Sequence, residues 1–167
     1  MQLTKLVTTN FKRLGTFTAD FTSGLNVIGG DNFKGKSTLL RAIEAALFGV
    51  TTLPGKKEDI PTWGQKDFSL ELSFLLNGSE YLVSRNKSTA KLVRIAKDPD
   101  NDELVANGST PVTSAIEELL GLSAKDYSLF LQSRQHEVSS VLKYGATALN
   151  RKVEEFAGVD LIDKVQV

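Results

Sequence analysis

The segment that most restricts how this chain folds is Gly30-Asp31-Asn32-Phe33-Lys34-Gly35-Lys36-Ser37-Thr38. Gly, four residues, then Gly-Lys-Ser is the P-loop pattern, which requires an apolar strand before it and an amphipathic helix after it. Leu25 to Ile28 supplies the expected strand. Leu39, Leu40, Ile43, Ala46 and Leu47 supply the helix, recurring at helical spacing with Arg41 and Glu44 on the other side. Glycine lets such a loop curl until successive N–H groups converge on phosphate oxygens, and the helix beginning near Gly35 adds the positive end of its dipole. Gly30, Asn32, Phe33, Lys34 and Gly35 form the cradle in this reading. Lys36 reaches the β and γ phosphates, Ser37 offers its hydroxyl to Mg²⁺, and Thr38 adds a contact near the α phosphate.

The rest of the 167 residues reads as strands, then helices. Leu3, Leu6 and Val7 among Thr residues predict one strand, and the alternation from Phe17 to Phe21 predicts another. Val50 to Gly64, with Pro54, Gly55, Pro61 and a Lys56-Lys57-Glu58-Asp59 run, reads as a surface connection. Phe68, Leu70, Leu72 and Phe74 alternate with polar residues before Asn77-Gly78, so a hairpin follows. Lys91–Lys97 and Glu103–Ala106 predict a second hairpin. From Thr113 the pattern is helical: Ile116, Leu119 and Leu120 end at Gly121, then come Tyr127, Phe130 and Leu131, and finally Val153, Phe156, Leu161 and Val165.

Composition narrows the chemistry. There is no Cys and a single histidine, His136, so disulfides, thiolate metal sites and multi-histidine metal sites are excluded. Twenty basic residues balance twenty acidic ones, and any DNA contact must come from a local patch. Neither an apolar run of the ~20 residues a bilayer needs nor a signal-peptide core is visible, which predicts an intracellular protein without a membrane partner. The sequence also lacks an Asp-x-x-Gly, a guanine-reading Asn-Lys-x-Asp, and an apolar run ending in a Walker B carboxylate, so the parts of a small GTPase or nucleotide kinase are absent.

Beyond the P-loop, four segments carry a family resemblance. They are Thr8-Thr9-Asn10-Phe11-Lys12-Arg13, Phe21-x-x-Gly24-Leu25-Asn26-Val27-Ile28, Ala42-Ile43-x-x-Ala46-Leu47-Phe48-Gly49, and Leu131-Gln-Ser-Arg-Gln135-His-Glu-Val138 with Val141-Leu142. Together they resemble the N-terminal lobe of the SbcC family of coiled-coil ATPases, including its phage counterparts. The resemblance implies an α/β fold, a P-loop NTPase of ABC-ATPase type. It implies an antiparallel β subdomain and P-loop helix over 1–109, and a helical part with a Gln-loop over 110–167 leading to a coiled coil. It implies ATP and Mg²⁺ as cofactors, Lys12 and Arg13 bordering the adenine and ribose, and Gln135 coordinating Mg²⁺ and orienting water, with Gln132 as the fallback. The signature helix, Walker B strand and catalytic Glu are implied to lie in a separate C-terminal lobe, and each ATP to be shared between two heads of a homodimer. An SbcD-type metallophosphoesterase nuclease and DNA are the implied partners, in bacterial or phage-infected host cytoplasm. An SMC- or RecF-like DNA clamp without a nuclease and a stand-alone, non-hydrolysing nucleotide-binding regulator are the alternatives.

Several residues carry two readings. Phe33 and Lys34 stand where relatives have Gly and a small residue, and Phe33 lacks glycine's freedom at positive φ. Trp63 either flanks the nucleotide or anchors a loop. Lys87, Lys91, Arg94 and Lys97 form either a DNA-backbone stripe or a solvated sheet surface, and their alternation favours the second. Asp98, Asp100 and Asp102 read as a turn, because a calcium loop needs Gly where Glu103 stands. His136 reads as a loop substitution rather than a general base.

Overall fold

One face of the central strand is apolar because Leu70, Leu72 and Phe74 alternate with Ser69, Glu71 and Ser73, and all three apolar side chains are fully buried in the computed structural model, which describes residues 1–131. Each such side chain contributes roughly 1.5–3 kcal/mol of burial. The strands are β1 (Gln2–Phe11), β2 (Gly15–Asp20), β3 (Ser69–Leu76), β4 (Ser79–Asn86), β5 (Ala90–Ile95) and β6 (Glu103–Asn107). They form one antiparallel sheet in the order β2-β1-β3-β4-β5-β6. Asn77 and Gly78 turn β3 into β4 with φ 50° and 79°, as the hairpin reading requires. Phe74 stacks on Tyr81 across that hairpin, with ring centroids 5.4 Å apart.

Helix α1 (Lys36–Phe48) packs against the sheet through Leu39, Ala42, Ile43, Ala46 and Leu47, and ends at Gly49 as its pattern predicts. Helix α2 (Ser109–Leu120) begins earlier than the expected Thr113. Gly108, at φ 101°, ends β6 and accepts the Val112 N–H, and Pro111 occupies the first turn, where no N–H is needed. The connection between α1 and β3 is not uniformly superficial. It contains single 3₁₀ turns at Val50–Thr52 and Lys57–Asp59, and Leu53 and Ile60 are buried.

One expected strand is absent. Residues 21–30 carry no sheet pairing, and Leu25 and Val27 are 90% and 83% exposed. Their alternation marks a face suited to burial, but among the described residues no strand pairs with it.

The chain divides into two units, residues 1–120 and 121–167. In the second, Ser123 caps the short helix α3 (Ala124–Asp126): its Oγ accepts the Asp126 N–H, and the Asp126 carboxylate accepts the Ser123 N–H and hydroxyl. A π-turn, Tyr127–Leu131, follows. No helix among the described residues is long and apolar enough to cross a membrane.

Candidate nucleotide-binding site

The loop before α1 folds as its glycines suggest and adds one strained residue. Gly30, Phe33 and Gly35 have φ of 150°, 66° and 97°. Gly35 is the N-cap of α1 and has no side chain to bond the first-turn amides, which leaves those donors for a ligand. Lys36 Nζ donates to Gly30 O at 2.6 Å and to Asp31 O at 2.7 Å, drawing the loop into a ring. A Cβ at Gly29 or Gly30 would meet nothing within 4 Å, and Asn32, Phe33, Lys34 and Ser37 are exposed, with Thr38 partly covered. Open backbone donors at a helix N-terminus, with Lys34 and Lys36 beside them, fit a phosphorylated anion.

Phe33 adopts the left-handed conformation that favours glycine, so the loop keeps its turn at a local cost. Its ring is 87% exposed and recovers little of that cost by burial. Phe33→Gly is therefore expected to stabilise the chain by about 1 kcal/mol in urea denaturation.

Lys12 and Arg13 sit on the turn joining β1 to β2, and that turn lies against the cradle. A Cβ on Gly35 would stand 3.1 Å from Leu14 Cδ2, tight enough to displace that side chain, and the φ of 97° there favours glycine in any case. Thr8 Oγ1 donates to Gly15 O at 3.1 Å, clamping the hairpin behind the turn. Asn10 and Lys12 both have positive φ, 53° and 44°, where β1 also slips register. Tertiary bonds hold this strain in place. Lys12 N–H donates to Ile60 O at 2.8 Å, Thr62 N–H to Asn10 O at 2.7 Å, and Thr62 Oγ1 to Lys12 O at 2.8 Å. Burial, and then the nearby charge of Arg41 on α1, push the Lys12 ammonium below the usual lysine pKa, with Asp59 opposing. Arg13 is exposed at the same turn.

Trp63 follows Thr62 and is fully exposed, which overturns its reading as a buried anchor; Leu53 and Ile60 fill that role. The basic residues of the hairpins do not form one stripe: Arg94 meets Glu103 at 3.7 Å and Ser79 at 3.0 Å, while Lys87 donates to Lys66 O. The carboxylates of Asp98 and Asp102 accept backbone N–H groups of Asp100 and Ala96, so they shape the turn. Clefts of about 380 and 520 Å³ open at opposite ends of β3, and neither is lined by the P-loop. The N-cap amides and the ammonium carry more weight than cavity volume, because the loop is an open surface. Gln132, Gln135 and His136 lie outside the described residues.

Sequence reasoning missed Leu14, Thr62 and Arg85. Only Arg85 left a signal: it shares inward parity with Val83 on β4 and is 4% exposed.

A positive-φ glycine loop, an ammonium closing it, and a helix running from it against an antiparallel sheet define the N-terminal lobe of a P-loop NTPase. Residues 5–162 match the family model described as an AAA domain, and the chain belongs to that family as an N-terminal lobe of the Rad50/SbcC-like ABC-ATPase type. It is 30% identical to the DNA double-strand break repair Rad50 ATPase of Archaeoglobus fulgidus over 84% of this chain and 15% of that protein. The corresponding protein of Methanocaldococcus jannaschii is 29% identical over 98% of this chain and 16% of its own length. The chain thus spans about 15% of such relatives. A solved structure from work on ATP-driven dimerization and DNA-stimulated activation of SMC ATPases shares the fold, with TM-score 0.62 and 17% identity over 93% of this chain and 99% of that one.

Proposed function

We propose that this chain is the Mg-ATP-binding half of a split ATPase that gates DNA access for a partner nuclease in double-strand-break repair. The observation that carries the nucleotide reading is the strained loop Gly30–Thr38, closed by Lys36 at the uncapped end of α1. Its amides bind the phosphates, and Lys36 exchanges its carbonyl partners for phosphate oxygens. Lys12, Arg13 and Trp63 flank the nucleoside. Ser37 and Gln135 hold Mg²⁺, which when bound neutralises phosphate charge. Residues 1–109 serve the nucleotide, and 110–167 lead to the Gln-loop and coil.

The exposed alternation of Leu25 and Val27 supports a second lobe that completes the sheet beside the P-loop. A homodimer of such heads, DNA and an SbcD-type nuclease are the further partners, in the cytoplasm; similarity to DNA double-strand break repair Rad50 ATPases supports the repair setting. The test is ATP turnover by this chain alone and after addition of the C-terminal lobe, with Lys36→Ala as control. Turnover appearing only in the mixture supports the split site, and equal turnover by the lone chain contradicts it.

Lys12 adds a pH signature. Its pKa is depressed in the free chain, an arriving polyanion raises it, and binding therefore takes up protons at alkaline pH. At about pH 9, the calorimetric enthalpy of Mg-ATP binding should vary with buffer ionisation heat in that sense, and Lys12→Met should flatten it.

A further inference from the structure

A helix leaves its last carbonyls without intrahelical donors, and in α1 these are taken up by other elements. Ala45 O accepts the Gly49 N–H at 2.9 Å, Ala46 O accepts Arg85 Nε at 2.7 Å, and Leu47 O accepts Arg85 Nη2 at 2.8 Å. The Thr113 hydroxyl of α2 is shared between Ser109 O at 3.0 Å and Phe48 O at 3.4 Å. The same guanidinium reaches α2, through Nη2 to Thr113 Oγ1 at 3.0 Å and Nη1 to Ser109 O at 3.3 Å. Gly49 closes α1 at φ 94°, a left-handed conformation that favours glycine, and a Cβ there would lie in ordinary contact with Arg85 Nη1 at 3.6 Å and Thr113 Oγ1 at 3.8 Å, so this turn sits directly against the guanidinium.

Sheet packing alone does not call for an arginine here. The inward side of β4 otherwise holds Tyr81 and Val83, and burying a guanidinium is costly. Burial lowers the Arg85 pKa to about 10, so the group keeps its charge at neutral pH. The acceptors it meets are carbonyls and a hydroxyl, and the negative end of the α1 dipole faces it. The opposite end of that dipole is the phosphate cradle, roughly 20 Å away along 13 residues.

We propose that Arg85 is a positioning residue for the cradle: it locks the C-terminal end of α1 to the first turn of α2, so that the two helices answer a nucleotide at Gly30–Thr38 as one body. This rests on the nucleotide reading of the loop. A lysine keeps the charge but cannot bond the carbonyls of α1 and the groups of α2 together. Thr113→Val removes one link to α2 and leaves both arginine bonds to α1.

The test is hydrogen exchange of the full chain with and without Mg-ATP, together with calorimetric affinity. In the wild type, Mg-ATP slows exchange at 30–41 and also at 109–116. Arg85→Lys weakens binding about tenfold, a difference of about 1.4 kcal/mol, and at saturating nucleotide retains protection of the loop while losing it at 109–116. Thr113→Val, the gentler change should Arg85→Lys compromise folding, reduces protection of α2 with an affinity loss of about threefold or less. Variants that bind and protect α2 as the wild type does overturn the role of Arg85. So does a wild-type chain that binds through Lys36 while 109–116 exchanges at its free rate. Absence of Lys36-dependent binding instead overturns the nucleotide reading itself.

Discussion

Lys36→Ala lowers the affinity of the chain for Mg-ATP by about 100-fold and leaves its unfolding midpoint within about 2 °C of wild type. The two halves of this expectation have separate causes. A hydrogen bond to a charged group contributes about 1.5–3 kcal/mol, and the ammonium contacts the part of the ligand where charge is densest, so its loss is felt almost wholly in binding. In the free chain the same ammonium bonds the carbonyls of Gly30 and Asp31, both on exposed residues, and water replaces it there. Calorimetry and a thermal melt on one preparation check both halves. Wild-type affinity in the variant would contradict the assignment of Lys36, and a large fall in the midpoint would show that its main work is structural.

Phe11→Ala has the larger effect on stability, about 3–5 kcal/mol. Phe11 is fully buried, meets Phe68 edge to face with ring centroids 6.1 Å apart, and bridges to Pro61. Truncation leaves a cavity at the place where the Lys12–Gly15 turn leaves β1. A marginally stable domain has about 5–15 kcal/mol in total, so the variant approaches the limit of folding. Urea denaturation measures the loss, and Phe11→Leu, which refills most of the volume, should cost about 1–2 kcal/mol. Because the turn lies against Gly35, Phe11→Ala is also expected to weaken nucleotide binding under conditions where it remains folded.

Local chemistry made much of this molecule readable before its coordinates. Asn77-Gly78 fixed its hairpin because both residues accept positive φ, and α1 was bounded by Gly35 and Gly49, although Glu44, expected on the polar side, is buried and Leu40, expected on the apolar side, is exposed. The turn before α1 was readable for the same reason, since Gly30 and Gly35 take the positive φ that glycine permits. What stayed hidden depends on partners distant in sequence. Leu25 to Ile28 alternates like a strand, and alternation reports a face that suits burial without saying what buries it. Asn10 and Lys12 adopt positive φ because Ile60 and Thr62 hold their backbone, a cause lying some fifty residues along the chain. Trp63 looked equally apt as a loop anchor or as a residue flanking the nucleotide, because an aromatic beside a glycine carries no periodicity. Arg85 lay at an inward position of β4, but only the arrival of α1 and α2 supplies its acceptors.

If the backbone amides around Lys36 receive a triphosphate, amide-resolved NMR of the ¹⁵N-labelled chain titrated with Mg-ATP registers it residue by residue. Saturable shifts are expected to concentrate at Gly30 to Thr38 and at Lys12 to Leu14, and to be absent from Lys36→Ala at the same nucleotide concentration. Saturable binding that leaves those amides unmoved and shifts resonances elsewhere would contradict it.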